Sequence, residues 1–205
     1  MAVDFFKKYK WKPGEVDWHF LILFDNDPQV TELAKSYHEL LQHPGLYPPI
    51  PMPWLHATLL RVGPTDIISE EDMRQVSTLL TSKIDKLVIP PVTLGSPWVW
   101  SGSVCLSMTP EEPLKELFNV INEAKKEVLQ DRAPAARDFI PHVTLAYPRD
   151  TDDEDGISRQ LLSKKVAPVS FQPTELCLVK QRQTSPYYQW EVVSRLSLRS
   201  GGEHS

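Results

Sequence analysis

Two short stretches carry residue types suited to acid–base chemistry: His56-Ala57-Thr58-Leu59 and His142-Val143-Thr144-Leu145. Each sits in a run with strand character, residues Trp54–Val62 and Phe139–Tyr147. Side chains of a strand alternate between its faces. Each His and the Thr two residues on therefore share a face, and the following Leu turns the other way, into a core. Two such faces brought opposite each other make a symmetric site of two imidazoles and two hydroxyls. The ordinary histidine pKa lies near neutrality, so one imidazole can take a proton while the other gives one. Threonine hydroxyls can donate to the non-bridging oxygens of a phosphate as charge builds. The combination suits phosphodiester cleavage without a metal, and does not by itself say which His is the base.

The neighbours of these motifs are sorted by the same alternation. Trp54 shares parity with His56 and is expected to face the cleft, where it could stack on a base. Arg61 and Tyr147 have the opposite parity and are expected to turn away. Trp98 and Trp100 share one face of another strand and read as core. Lys180 and Arg182 share a face that meets either phosphate or solvent. His19, His38, His43 and His204 lack the motif and read as surface or structural residues. No metal is expected, because the two motifs supply only two ligands and the chain has neither H-E-x-x-H nor a Cys-His cluster. Cys105 and Cys177 fall in expected strands and read as buried, reduced thiols.

The elements that must position these residues follow from pattern. The stretch Trp18–Phe24 is an apolar strand broken only by His19. Asp27-Pro28 starts a helix that is expected to end near Gln42. Ser69-x-x-Asp72 reads as a capping signature for a helix to about Lys83. Strands are expected at Lys86–Leu94 and Trp98–Met108, then an amphipathic helix after Thr109-Pro110, with Leu114, Leu117, Ile121 and Val128 on one face. Arg149–Gly156 reads as a solvated acidic loop before a short helix at Ile157–Ser163. The last strands, Glu175–Arg182 and Gln189–Leu198, can pair as a hairpin around Thr184-Ser185-Pro186. Residues 1–17 are expected to be an N-terminal arm, 18–198 a single domain, and 199–205 a disordered tail. Each His strand follows one helix and precedes another, a hint of duplication in an α+β fold with largely antiparallel sheets.

Composition bounds the partners. The 205 residues are 41% hydrophobic and 24% charged, ample for a folded core. The formal net charge of −5 argues against bulk binding of nucleic acid through its phosphates. A nucleotide or a nucleic-acid end in a cleft fits better, and no DNA partner is expected. No apolar run reaches the length of a membrane span. No signal peptide is evident, so a cytoplasmic monomer is the expectation.

Two H-x-T-L strand motifs, one per half, resemble those of the two-histidine phosphoesterase superfamily, specifically its bacterial RNA 2′-5′ ligase-like and cyclic phosphodiesterase branch. The Trp18–Phe24 strand, the Trp54-Leu55-His56 approach and Pro141–Tyr147 are similar to members of that branch. The resemblance implies a bilobal fold of two pseudo-symmetric antiparallel sheets, with helices outside and a central cleft. It implies His56, Thr58, His142 and Thr144 as the catalytic set, with no cofactor, acting on 2′,3′-cyclic phosphates or 2′-5′ linkages of a nucleotide or RNA end. Two alternatives remain open at this point: a nucleotide or RNA-end binding module without turnover, and a reversible RNA 2′-5′ ligase. The N-terminal arm has no counterpart in the family's minimal core.

Overall fold

A computed structural model describes residues 3–25, 27–150 and 153–201. Its strands are β1 (Val16–Leu23), β2 (His56–Pro64), β3 (Val88–Ile89), β4 (Val92–Trp100), β5 (Ser103–Thr109), β6 (His142–Ala146), β7 (Val169–Phe171), β8 (Glu175–Gln183), β9 (Tyr188–Ser197) and β10 (Arg199–Ser200). Its α-helices are α1 (Phe5–Lys8), α2 (Pro28–Tyr37), α3 (Glu70–Ile84), α4 (Glu112–Leu129) and α5 (Glu154–Ser163). Two antiparallel four-stranded sheets make the two lobes, in the orders β2-β1-β8-β9 and β6-β5-β4-β7. Each motif strand is therefore the edge strand of its own sheet, and the two edges approach each other across the middle of the molecule. The bilobal α+β fold expected from the sequence is the fold observed.

The helices cover the outer faces and cross between halves. Helix α4 follows a strand of the second sheet and packs on β2 of the first, with α3 beside it. Helices α2 and α5 pack on β7 and β4 of the second sheet. Of the expected α4 face, Leu114, Leu117 and Ile121 are buried and Val128 is half-buried; Met73, Val76 and Leu80 of α3 are buried too. Burying each such side chain fully is worth roughly 1.5–3 kcal/mol. Ser69 accepts from the Asp72 amide while the Asp72 carboxylate accepts from the Ser69 amide, so the capping box forms as read. Arg132 grips the same carboxylate with two nitrogens, which holds the Asp72 acid well below its ordinary pKa.

Several boundaries differ from expectation, each for a local reason. The helix expected to reach Gln42 ends at Tyr37 and continues only as turns. The run Lys86–Leu94 is broken at Pro90-Pro91 into β3 and β4, since neither proline can donate to a ladder. The run Trp98–Met108 is not one strand but a hairpin. Ser101 and Gly102 both take positive φ, 50° and 82°, and turn β4 into β5 in two residues. The arm gives way to β1 at Val16. The tail does not start at 199: Arg199 and Ser200 pair in parallel with Val88 and Ile89, while 202–205, including His204, lie outside the described residues. The acidic loop is not merely solvated, because Asp150 accepts from the Asp4 amide at 2.8 Å and from Lys7 Nζ at 2.7 Å. Cys105 and Cys177 are free and buried, as expected. No helix among the described residues is long and apolar enough to cross a membrane.

Gly63, near the end of β2, shows how tightly the outer layer sits on the first sheet. Its φ is +146°, and a Cβ there would stand 2.9 Å from Ile68 Cδ1 and 3.0 Å from Pro134 Cδ. Gly63→Ala should therefore lower stability by about 1–3 kcal/mol, an overpacking cost. Urea denaturation measures it, and an unchanged midpoint would contradict this account of the packing.

Candidate active site

The two motif faces line one cavity of about 930 Å³ between the sheets. His56, Thr58, His142 and Thr144 all border it. The leucines that follow, Leu59 and Leu145, are buried in the main core, as alternation requires. His56 is buried, whereas His142 and both threonines are half-buried.

Both imidazoles are held the same way. Nδ1 of His56 lies 3.0 Å from the carbonyl oxygen of Trp54, and Nδ1 of His142 lies 2.7 Å from that of Ile140. A backbone carbonyl can only accept, so Nδ1 carries the proton in each ring. In the neutral imidazole that leaves Nε2 as the nitrogen free to take a proton. Each ring also meets an indole edge to face, His56 with Trp190 at 4.7 Å and His142 with Trp100 at 5.3 Å between centroids. Burial pushes the His56 pKa down to about 4, against the opposing pull of its carbonyl bond. Burial also lowers His142, and the proximity of His142 lowers His56 further.

A register irregularity follows each motif and reshapes the cleft. In β2, Thr58 pairs with Leu21 and Leu60 with the next residue back, Phe20, so Leu59 is an extra residue. In β6, Thr144 pairs with Cys105 and Ala146 with Val104, so Leu145 is extra. A bulge reverses the alternation beyond it. Arg61 and Tyr147, five residues after their respective histidines, therefore turn onto the cleft face and line the cavity. The expectation that both turn away is corrected, because it assumed regular strands.

Other sequence readings change here as well. Trp54 does not continue β2. It ends a 3-10 turn, Met52–Trp54, and packs edge-on against Trp190 at 5.1 Å. It is not among the residues lining the cavity, so its expected place facing substrate is withdrawn; it buttresses the indole that touches His56. Trp100 is not core but 46% exposed at the cleft. Lys180 reaches away from the cavity to Glu70, across the Trp18 ring. His38 and His43 bond to neighbouring side chains away from the cavity, as read. His19 does not. It lies in β1 opposite Arg61, 5% exposed, lines the cavity, and has its Nδ1 3.4 Å from the Asp17 carbonyl. Burial brings its pKa down to about 3, with Arg61 and His56 adding to the effect.

The N-terminal arm is a wall of the cavity rather than a surface decoration. Phe5 and Phe6 of α1 pack on Tyr147, at 4.4 and 5.1 Å between centroids. Asp4 accepts from the Tyr47 hydroxyl at 2.7 Å. The Trp11 amide donates to Gln183 Oε1, and its indole lies nearly parallel to the His19 ring, 6.1 Å away. The loop 134–140 also lines the cavity, held by Lys125 Nζ donating to the Pro134 carbonyl and by Phe118 stacked on Phe139.

Comparison with known proteins gives the family and agrees with the fold. The profile of the 2′-5′ RNA ligase superfamily matches residues 27–185. The structure is similar to that of E. coli LigT complexed with phosphate, at 21% identity and a TM-score of 0.61 over 90% of this chain and 98% of LigT. LigT complexed with 3′-AMP matches at 20% identity and 0.62, over the same shares. TT0787 of Thermus thermophilus matches at 18% identity and 0.66, over 91% of this chain and all of that one. At these identities the likeness is one of fold. No curated protein sequence matches the chain.

The buried histidines set a pH dependence with a definite sign. His19 and His56 have native pKa values below the ordinary one. Between about pH 6.5 and the native values, the unfolded chain binds more protons than the native one. Stability attributable to these groups is therefore complete above about pH 6.5 and is lost as pH falls toward 4. The urea midpoint should drop between about pH 6.5 and 5, and His19→Gln should flatten that drop. A wild-type midpoint constant over this range would contradict the burial argument.

Proposed function

The chain belongs to the 2′-5′ RNA ligase superfamily, and on that premise we propose that it is a metal-independent phosphodiesterase. Its substrates are 2′,3′-cyclic phosphates, or 2′-5′ linkages, on nucleotides or RNA ends. The observation that carries this reading is the pair of His-Thr faces on one cavity, each imidazole with Nδ1 bound to a carbonyl and Nε2 left to react. That LigT has been solved with phosphate and with 3′-AMP supports a nucleotide phosphate as the ligand class.

The geometry supports the opening of a cyclic phosphate. A water oxygen attacks phosphorus, and the bond from phosphorus to one ribose oxygen breaks. Nε2 of one imidazole takes the water proton, and the other imidazole, protonated at Nε2, gives its proton to the leaving oxygen. The two rings exchange protonation states, and proton exchange with solvent restores them. His56 is the deeper ring and the one held neutral, which fits the base. His142 is nearer solvent, which fits the acid. Thr58 and Thr144 donate to the two non-bridging oxygens as charge builds on them. The Trp100 and Trp190 faces limit how each ring can turn.

Replacing either histidine with alanine should cut kcat/KM for a 2′,3′-cyclic nucleotide by about 10²–10⁴, the usual worth of a general acid or base. Thr58→Val and Thr144→Val should each cost about tenfold or more through loss of a donor to the developing charge. The wild-type rate should be bell-shaped in pH and unaffected by chelator. Retention of full turnover by His56→Ala or His142→Ala would overturn the reading, as would loss of wild-type turnover on adding chelator.

A further inference from the structure

The two His-Thr pairs border the cavity alike, but the residues that the two bulges turn into it are not alike. On the β2 side the bulge presents Arg61, and on the β6 side it presents Tyr147. Arg61 is fixed from behind. Its Nε donates to Asp17, a carboxylate with 0% exposure, and an Nη lies 3.9 Å from Glu15. The remaining guanidinium hydrogens are not consumed by these contacts, and the side chain, 46% exposed, lines the cavity. Lys10 of the arm lines the cavity too.

A second observation points to a ligand at that end. Gln181 of β8 lines the cavity beside this ion pair, in register with Asp17. It is 3% exposed, and its carboxamide oxygen has no hydrogen-bond partner within the protein. A buried acceptor left without a donor is costly unless a bound group supplies one. His19 adds another acceptor there. Its Nδ1 faces the Asp17 carbonyl, so Nε2 of the neutral ring is an acceptor. Trp11 and Tyr188, 5.4 Å apart between centroids, supply aromatic surface over the same end.

The spacing fits a second phosphate. On the partner strand, the step from Thr58 to Arg61 corresponds to Leu21 to His19. Two strand residues span about 7 Å, close to the separation of neighbouring phosphates along a nucleotide chain. We propose that the Arg61–Gln181 end of the cleft is a second nucleotide subsite. Arg61 holds the phosphate next to the scissile one, and Gln181 and His19 accept from hydroxyl or amino groups of the attached nucleoside. This rests on the phosphodiesterase reading above and deepens it: the preferred substrate carries at least two nucleotide units, and the Arg61 side fixes which way it lies between the two histidines.

The test compares adenosine 2′,3′-cyclic phosphate with the dinucleotide ApA ending in a 2′,3′-cyclic phosphate. Arg61→Met alone would leave Asp17 buried and unpaired, so the variant used is Asp17→Asn/Arg61→Met. In the wild type, kcat/KM for the dinucleotide should exceed that for the mononucleotide by about tenfold or more, the worth of a charge-assisted hydrogen bond. The ratio should fall toward one in Asp17→Asn/Arg61→Met and fall partway in Gln181→Leu. The same two ligands are titrated calorimetrically into the His56→Ala/His142→Ala protein. Turnover of both with equal kcat/KM overturns the subsite and leaves the phosphodiesterase reading standing. Turnover of neither overturns the phosphodiesterase reading. The titration then decides the subsite: tenfold tighter dinucleotide binding supports it, and equal affinities overturn it.

Discussion

Everything at the cleft depends on one repeated hydrogen bond, from the Nδ1 of a strand histidine to the carbonyl two residues before it. That bond settles the tautomer, and with it the nitrogen that can exchange protons. It also ties the ring to its own backbone, so the ring goes where the strand goes. Because each histidine lies at the start of an edge strand, β2 or β6, the relation between the two rings is set by how the two sheets approach. The helices crossing from one half to pack on the other sheet, α4 on β2 and α2 on β7, hold that approach. The outer core thus has a functional role, although of α4 only Phe118 is among the residues that line the cavity.

The bulges at Leu59 and Leu145 are the second constraint. They let each short strand meet two demands: a His and Thr before the bulge and a longer side chain after it all face the cleft, while the leucine itself anchors the strand in the core. The halves share this device and differ in what it delivers. Arg61 brings charge, braced by Asp17 and Glu15, and Tyr147 brings an aromatic surface that the arm covers with Phe5 and Phe6. A symmetric pair of imidazoles is thereby placed in an asymmetric cavity, as a substrate with distinct ends requires.

The sequence made the motifs legible because their chemistry is carried by residue type and a two-residue spacing that the pleat translates directly into a shared face. The fold class, the capping box at Ser69 and the amphipathic helix of Leu114 to Val128 were legible for the same reason, each being a local pattern. Arg61 and Tyr147 were not, since a bulge leaves the alternating pattern of residue types looking like a regular strand; only the ladder reveals it. His19 was hidden because its role comes from lying opposite Arg61, a pairing between strands far apart in sequence. Trp54 misled because the strand pattern was begun at Trp54, which is the last residue of a 3-10 turn. The arm's place at the cleft depends on contacts with Tyr147, Asp150 and Gln183, all far away in sequence.

Whether the paired motifs open a cyclic phosphate with no help from a metal is tested most directly by phosphorus NMR. A nucleoside 2′,3′-cyclic phosphate is incubated with the purified protein and excess chelator, beside the His56→Ala/His142→Ala double variant. The cyclic-phosphate signal should convert to a single phosphomonoester with the wild type and persist with the variant. A cyclic-phosphate signal that persists with both proteins, or that disappears equally with both, would contradict the paired-histidine mechanism.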